Sequence, residues 1–533
     1  MTINTAPLQN LALLARKHEV FLVSFFLAAL SAATFLIYYS QGLTLAYNDA
    51  RSHLDIGRRI VEGLKPGFAQ IGSVWLPLPH FLMTFTIWND FMWHSGLAGS
   101  IQSMVSFVAT GILIYLFLRR LGVGTAGRLA GLGVFAFNTN VLYLQTTAMT
   151  ELLLLATMTA GSYKFLAWYQ EQKLPDLILS AFWFMLATLI RYDGWFLVIT
   201  ATLLVAWRGW KKGGWQVAEG MTLMFSSLGF LGIALWLLWN QLIFNNFLYF
   251  AISPYSAYAQ QQALLSQGNL ATKGQLLVSF LSYLSSLVFS HTMVVFLLGI
   301  AGAAVLWLDK KNSLHTRIAA LCLLAPFVFN IISLYLGQSA MFIPGLSGGF
   351  WFNVRYGIML APSVAIFIGL LIDRLKNFRP VIGGILIFVM VFSHLNQDTV
   401  ALEDARSNLS YFNVSSLSDT LNQRASQNEG FILLSTASHE TVIFGSSLPM
   451  KRFITEGTGL YWQTAIVAPH RLARWIVMQT DFTGDLVWKS VSSRPEVLVK
   501  YYIVGRFPTG DLYEIKPEYL PQLSTTPIYS GQK

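Results

Sequence analysis

Charge is scarce in this chain. Asp, Glu, Lys and Arg make up 11% of its 533 residues, against about 25% in soluble domains. So few charges cannot clothe a chain of this length in a water-facing surface, which excludes an ordinary soluble enzyme. Cysteine is scarcer still: Cys322 stands alone inside an apolar run, so an intrachain disulfide is excluded. The first apolar run is followed by no small-residue cleavage site, and it reads as a retained helix, not a removed signal. No inverted or parallel internal repeat is visible. Acidic residues are the minority charge, 25 against 35 Lys and Arg, for a formal +10. The excess does not point to nucleic acid, because the positive residues fall mostly between apolar runs, as membrane orientation requires.

What the chain has in plenty is apolar sequence, 54% of it, in runs long enough to need lipid. Eleven spans are expected: Val20–Tyr39, Leu97–Leu118, Leu129–Leu144, Leu152–Trp168, Leu177–Ile190, Trp195–Trp207, Met221–Trp239, Leu287–Leu308, Ile318–Leu336, Gly357–Ile372 and Val381–Phe392. The fifth and sixth are separated at Arg191-Tyr192-Asp193-Gly194, since a single helix would carry Arg191 and Asp193 to mid-membrane at a cost of several kcal/mol. With a cytoplasmic N-terminus, Arg16, Lys17, Arg119, Arg120, Arg128, Lys164, Lys173, Arg208, Lys211, Lys212, Lys310, Lys311, Arg317, Arg374, Lys376 and Arg379 all fall inside, and the short outer connections hold only Arg191, Lys273 and Arg355. An odd count leaves the C-terminus outside. The expected fold class is therefore an all-α polytopic membrane protein with a small C-terminal α/β extracytoplasmic domain, divided at 1–395 and 396–533, in the plasma (inner) membrane.

Two outer segments exceed mere connectors. In the first, Trp75–Trp93 is apolar, aromatic-rich and broken by Pro77 and Pro79, and predicts a helix lying in the membrane interface. The second, Asn240–Leu276, is rich in Tyr, Gln and Ser and reads as a candidate lid. Past Ser393 the composition turns polar, and Phe431–Ser435, Arg474–Met478 and Tyr501–Val504 read as strands alternating with helical stretches. Two sequons, at Asn408 and Asn413, fit N-glycosylation, a pattern common by chance.

Ionisable residues with no topological reason gather on the outer side. In Asn48-Asp49-Ala50-Arg51-Ser52-His53-Leu54-Asp55, Asp49 and His53 lie one helical turn apart, and Ile56, Ile60 and Leu64 form an apolar stripe expected to face the membrane. Asp49 suits a catalyst and an ordinary helix cap equally. Asp55 reads as a solvated partner of Arg51, Arg58 or Arg59. Glu151 begins a span with no helical cation near it, and suits either function or the positive helix end. Arg191 and Asp193 can neutralise each other. Arg355-Tyr356 follows the Gly-rich Gly345–Phe350 loop; a bound anion or a lipid headgroup would account for an Arg there.

In their order, a first span, an outer loop with an early acid, an interfacial stretch and a second acid heading the fourth span, these features resemble the GT-C class of membrane glycosyltransferases. The nearest branch is the family-39-like one, with protein O-mannosyltransferases and the aminoarabinose transferase of lipid A. The matching residues are Asp49, His53, Gly57-Arg58, Trp75-Leu76-Pro77-Leu78-Pro79, Glu151 and Arg191. The departures are Ala50, where the family has Glu, and the missing Lys-Pro pair. The resemblance covers Val20 to Trp207 well, and the later spans by architecture only.

It implies transfer of a sugar from a polyprenyl-phosphate donor to an acceptor hydroxyl (glycan, lipid or protein) on the outer face, with inversion. Asp49 would be the general base and Glu151 would orient a substrate hydroxyl. Arg191, Arg355 and Tyr356, with Arg58 in reserve, would hold the lipid phosphate, and His53 would bind substrate. Some GT-C enzymes use a divalent metal, but no acid cluster for one is evident, so no metal and no cofactor beyond the lipid-linked donor is expected. A transporter or lipid-sugar flippase is the alternative; it would favour mid-membrane charges and repeated halves. A third reading, a non-catalytic anchor displaying the C-terminal domain, gives Asp49, Glu151 and Arg355 no reason to converge.

Overall fold

The computed structural model describes residues 18–253, 256–407, 414–482 and 484–527. Arg16 and Lys17, placed inside by the expected orientation, lie outside these residues, as do both sequon asparagines, Asn408 and Asn413. The chain divides into two compact units, Met1–Thr44 with Ser100–Asp404, and Leu45–Gly99 with Ala405–Lys533. Residues 45–99, read from sequence as a connection between spans, thus share a unit with the C-terminal part.

The first unit is helical. Among the described residues, five helices are long and apolar enough to cross a membrane: Glu19–Ser40, Leu97–Arg120, Leu314–Leu336, Val354–Arg374 and Lys376–Arg406. Two bent pairs raise this to seven if each counts as one span. Other expected spans fall on Glu151–Glu171 and Leu174–Thr188. Small residues let these helices approach closely: a Cβ on Gly127 or Gly131 would come within 2.4 or 2.6 Å of the Gly369 or Ala365 carbonyl oxygen, and one on Gly302 within 2.1 Å of Phe367 O.

Several expected spans are not continuous. Leu129–Leu144 breaks at Phe137–Asn138, where Asn138 accepts from the Asn140 and Val141 amides and starts a new helix. Leu287–Leu308 belongs to helices Leu276–His291 and Met293–Leu308, bent by 109° at Thr292, whose φ is 71°. Trp195–Trp207 and Met221–Trp239 are joined through Gly213 and Gly214, where the backbone leaves the helix. Apolar sequence runs straight through the first two breaks, so it could not mark them, whereas the third falls in the charged connection expected between those spans. The break before Asp193, by contrast, falls where the Arg-Tyr-Asp-Gly sequence places it. Gly194 packs so closely on the preceding helix that a Cβ would sit 2.4 Å from the Ala187 carbonyl. The Asn240–Leu276 segment contains helices Tyr249–Ile252 and Ala257–Ser266. Phe250 stacks against Tyr192, their ring centroids 5.8 Å apart.

The second unit carries a five-stranded sheet. Its strands are β1 (Phe431–Leu433), β2 (Phe453–Ile454), β3 (Ala473–Met478), β4 (Tyr501–Phe507) and β5 (Gly510–Ile515), in the order β2-β1-β3-β5-β4. β1 pairs in parallel with β2 and β3, and β5 runs antiparallel to β3 and β4. β1, β3 and β4 lie where expected. β2 is two residues long and β5 carries Asp511 and Glu514, so neither shows a strand pattern. Glu514 is accommodated by Arg424, 3.0 Å away, and by Tyr502, 2.9 Å away.

Trp75–Trp93 is not one helix. Leu78–Met83, with prolines at its start, gives way to turns, and Asn89 accepts from the Met92 amide to begin Asp90–His94. Phe81, Phe85, Trp88 and Phe91 are exposed along it. The Ile56-Ile60-Leu64 stripe does not face lipid. Ile56 and Ile60 are buried, and Leu64 packs on the hydrophobic core of the sheet.

Candidate functional site

In the second unit the helix Asn48–Val61 carries the first-loop residues. It opens after Tyr47 with no side-chain cap, so Asp49 is not an N-cap but a first-turn acid at the positive helix end. One turn on, His53 is buried, and its Nδ1 lies 2.8 Å from Nε2 of His80, also buried. The Trp75 ring covers His53, 4.3 Å between centroids. Burial depresses His80 well below the ordinary histidine range, helped by the positive character of His53 and Arg59 and opposed by the Leu76 backbone. His80 is therefore neutral at pH 7.

Arg58 has structural work. Its Nε donates to Glu62 at 2.6 Å, and one terminal nitrogen donates to the carbonyls of Ile87 (2.8 Å) and Trp88 (2.9 Å). The other terminal nitrogen meets Glu62 and Asp90, and the guanidinium lies 4.7 Å from the Trp93 ring centre. A guanidinium has five N–H donors, and these partners occupy all five. Arg58 pins the turn before Asp90; it has no donor left for a lipid phosphate.

Asp55 is not solvated. It is fully buried and accepts from Trp93 Nε1 at 3.1 Å. Burial raises its carboxyl well above the usual range, as does the charge of Glu440, against the lowering effects of Arg59, Trp93 and Arg51. Glu440, raised likewise by burial, lies 3.6 Å from Arg59. Neither Glu440 nor His80 stood out in the sequence. Glu440 is remote along the chain, and His80 hides in an apolar stretch where a lone His suggests nothing.

In the first unit four of the expected residues come together. Glu151 opens the helix Glu151–Glu171 and is fully buried. Its Oε1 receives Arg355 Nε at 3.1 Å and Arg191 Nη1 at 3.2 Å. Among the described residues its Oε2 has no hydrogen-bond partner. Arg191 also reaches Asp193 at 3.3 Å, and Arg355 reaches Asp404 at 3.5 Å. Tyr356 lies against both cations, its ring centre 4.9 Å from the Arg191 guanidinium and 5.4 Å from that of Arg355. Asn330 donates to the other oxygen of Asp193 at 3.3 Å.

Local backbone fixes these positions. Arg191 occupies the turn broken at Gly194. Arg355 opens the 3-10 turn Val354–Leu360, where Ser286 donates to the Val354 carbonyl at 2.8 Å. A Cβ on Gly357 would lie 2.4 Å from the Ser286 carbonyl oxygen, so the turn requires glycine there. Thus the carboxylate that Arg355 demanded is supplied by the chain, and Glu151 has its cations from far along the sequence. Asp404 and Asn330 were not anticipated, being an acid beyond the last apolar run and an amide within one. No group of three or more His, Cys, Asp or Glu arranged to hold a metal occurs among the described residues.

The fold is that of the GT-C class of membrane glycosyltransferases. ArnT from Cupriavidus metallidurans matches over 92% of this chain and 98% of its own. The TM-score is 0.55 at 12% identity for its apo state, and 0.54 at 11% for the form bound to undecaprenyl phosphate. The Archaeoglobus fulgidus oligosaccharyltransferase, solved in complex with Zn and sulfate, matches over 92% of this chain and 73% of its own, with TM-score 0.50 and 11% identity. No family model matches the sequence, and no curated protein does.

Proposed function

We propose that this protein is an inverting glycosyltransferase that moves a sugar from a polyprenyl-phosphate donor to an acceptor hydroxyl on the outer face of the inner membrane. The observation that carries the reading is likeness over nearly the full length of ArnT, a protein solved with undecaprenyl phosphate bound. The reading includes eleven membrane crossings with the N-terminus inside and the C-terminal domain outside.

Asp49 takes the acceptor's proton as its oxygen attacks the anomeric carbon. An alcohol is a poor nucleophile, and a positioned base contributes about 10²–10⁴-fold. The phosphate leaves without needing a proton donor, provided cations meet its charge. We assign that contact to Arg191 and Arg355, with Tyr356 between them, because a guanidinium fork can bind two phosphate oxygens. Glu151 keeps the two arginines together through Oε1, and its second oxygen, buried and unpartnered among the described residues, suits a substrate hydroxyl. The reaction as written balances with no resident metal. His53 binds substrate.

Radiolabelled polyprenyl-phosphate hexoses and pentoses supplied to the purified protein, with acceptor-containing membranes, test this. One donor should turn over in the wild type and lose at least about 10²-fold in Asp49→Asn, with donor binding retained. Full activity in Asp49→Asn would remove Asp49 as base. A folded wild type that turns over no donor would favour a transporter.

A further inference from the structure

We propose that the turn joining the two arms of the helix Asp193–Gly229 binds an anionic phospholipid. Lys211 and Lys212 meet its headgroup phosphate, and three exposed tryptophans seat the turn at the membrane interface.

Glycine builds the turn. Gly214 has φ 73° and ψ −162°, a conformation that only glycine adopts readily. A Cβ on Gly209 would come within 2.7 Å of the Ala218 Cα, two positions that one continuous helix would hold about 13 Å apart. The chain therefore doubles back between them. The first arm, from Asp193 to Lys212, runs about 20 residues and so about 30 Å, the thickness of a hydrocarbon core. Arg191 precedes one end of that arm and the turn closes the other. A lipid held at the turn thus lies in the leaflet opposite the Glu151, Arg191 and Arg355 cluster, and is distinct from the donor of the proposed reaction. On the expected orientation it belongs to the inner leaflet.

The side chains favour a negative headgroup. Arg208 is already engaged: its Nη1 lies 2.7 Å from His315 Nε2, and its guanidinium 5.8 Å from the Tyr169 ring centre. Lys211 and Lys212 are exposed, and among the described residues neither makes an ion pair. Lys211 is nonetheless held in place. Its Nζ lies 4.9 Å from the Trp207 ring centre and 5.2 Å from that of Trp210. Trp207, Trp210 and Trp215 are 44%, 55% and 75% exposed. Indoles settle at the level of lipid headgroups, and that depth sets both ammonium groups among the phosphates. A zwitterionic headgroup brings a cation that the lysines repel. An anionic one brings none, and clustered lysines at a membrane surface draw it in.

The experiment titrates the detergent-purified full-length protein with phosphatidylglycerol or phosphatidylcholine of matched chains and counts bound lipid by native mass spectrometry. The wild type should prefer phosphatidylglycerol, and the preference should fade as salt rises from about 0.05 to about 0.3 M. The double substitution Lys211→Gln and Lys212→Gln should weaken phosphatidylglycerol about tenfold and leave phosphatidylcholine unchanged. Lys211→Arg with Lys212→Arg should restore binding. Lys310→Gln with Lys311→Gln, an equal loss of charge elsewhere, should have no effect. A wild type that shows no preference for phosphatidylglycerol overturns the proposal, whether or not the variants fold. An equal loss from both glutamine pairs overturns it too, because net charge alone would then account for the binding. Displacement of the lipid by inorganic phosphate at matched ionic strength would make the turn a free-anion site. A dimer dissociated by the Lys211 and Lys212 substitutions would assign the turn to a second copy of the chain. Either result overturns the lipid assignment.

Discussion

Asp485 and Asp55 are buried acids of the second unit that answer pH in opposite directions. Asp485 lies 2.7 Å from the buried His439 and caps the helix Leu486–Val491. Burial alone would raise its carboxyl, but the His439 ring and the Gln479 and Trp488 amides outweigh burial and hold it below the usual range. A depressed acid stabilises the fold fully above its unfolded value of about 3.9, and the contribution is lost as pH falls through the folded value. Asp485→Asn should therefore cost on the order of 3 kcal/mol at neutral pH and progressively less below about pH 4, read as thermal unfolding of the detergent-purified protein. A loss that does not vary with pH would assign the effect to the cap alone. Asp55 is raised, so the folded protein binds its proton more tightly than the unfolded chain does, and stability falls as pH rises from the unfolded value through the folded one. Asp55→Asn keeps an oxygen for Trp93 and drops the charge. It should melt above wild type at pH 8 and with it near about pH 4; coincident melting at pH 8 would show that burial does not strain this carboxyl.

Elements in this protein are decided by their ends. The site residues Arg191 and Arg355 occupy turns, and each turn rests on a glycine for which a side chain leaves no room, Gly194 and Gly357. Gly194→Ala should destabilise by about 1–3 kcal/mol through overpacking on Ala187, with Gly194→Val worse, measured as loss of folded protein on size exclusion after mild heating. Equal recovery of all three forms would mean the turn relaxes. The sequence marked the Arg191 turn because a charged pair interrupts an apolar run there. It could not mark the breaks at Asn138 or Thr292, where the residues are mild and the runs stay apolar. β5 escaped notice for the converse reason: it carries two acids, one of which, Glu514, is met by Arg424 and Tyr502 from other elements.

At the scale of the whole molecule, the expected topology is testable because the chain has one cysteine and it is buried. With Glu518→Cys, an exposed position of the second unit, a membrane-impermeant maleimide added to intact cells should label the protein, while wild type stays unlabelled. Labelling only after lysis would place that unit in the cytoplasm and reverse the orientation.

What the sequence determined by itself was the solvent and the order of the chain. Scarce charge and long apolar runs demand lipid, and the polar C-terminal stretch with its apolar strand runs demands a separate core, because both follow from composition summed over many residues. The candidate residues Asp49, His53, Glu151, Arg191 and Arg355 were legible as ionisable groups gathered on the outer side without a topological reason. Tertiary structure alone decided what those partners are. Glu151 gathers Arg191 and Arg355, His80 faces His53, Glu440 presses on Asp55, and Arg58 is consumed by a turn. Each of these pairings joins positions 27 or more residues apart or depends on a turn between them. Electrostatics and hydrogen bonding act over a few ångströms in space, and distance along the chain carries no record of that.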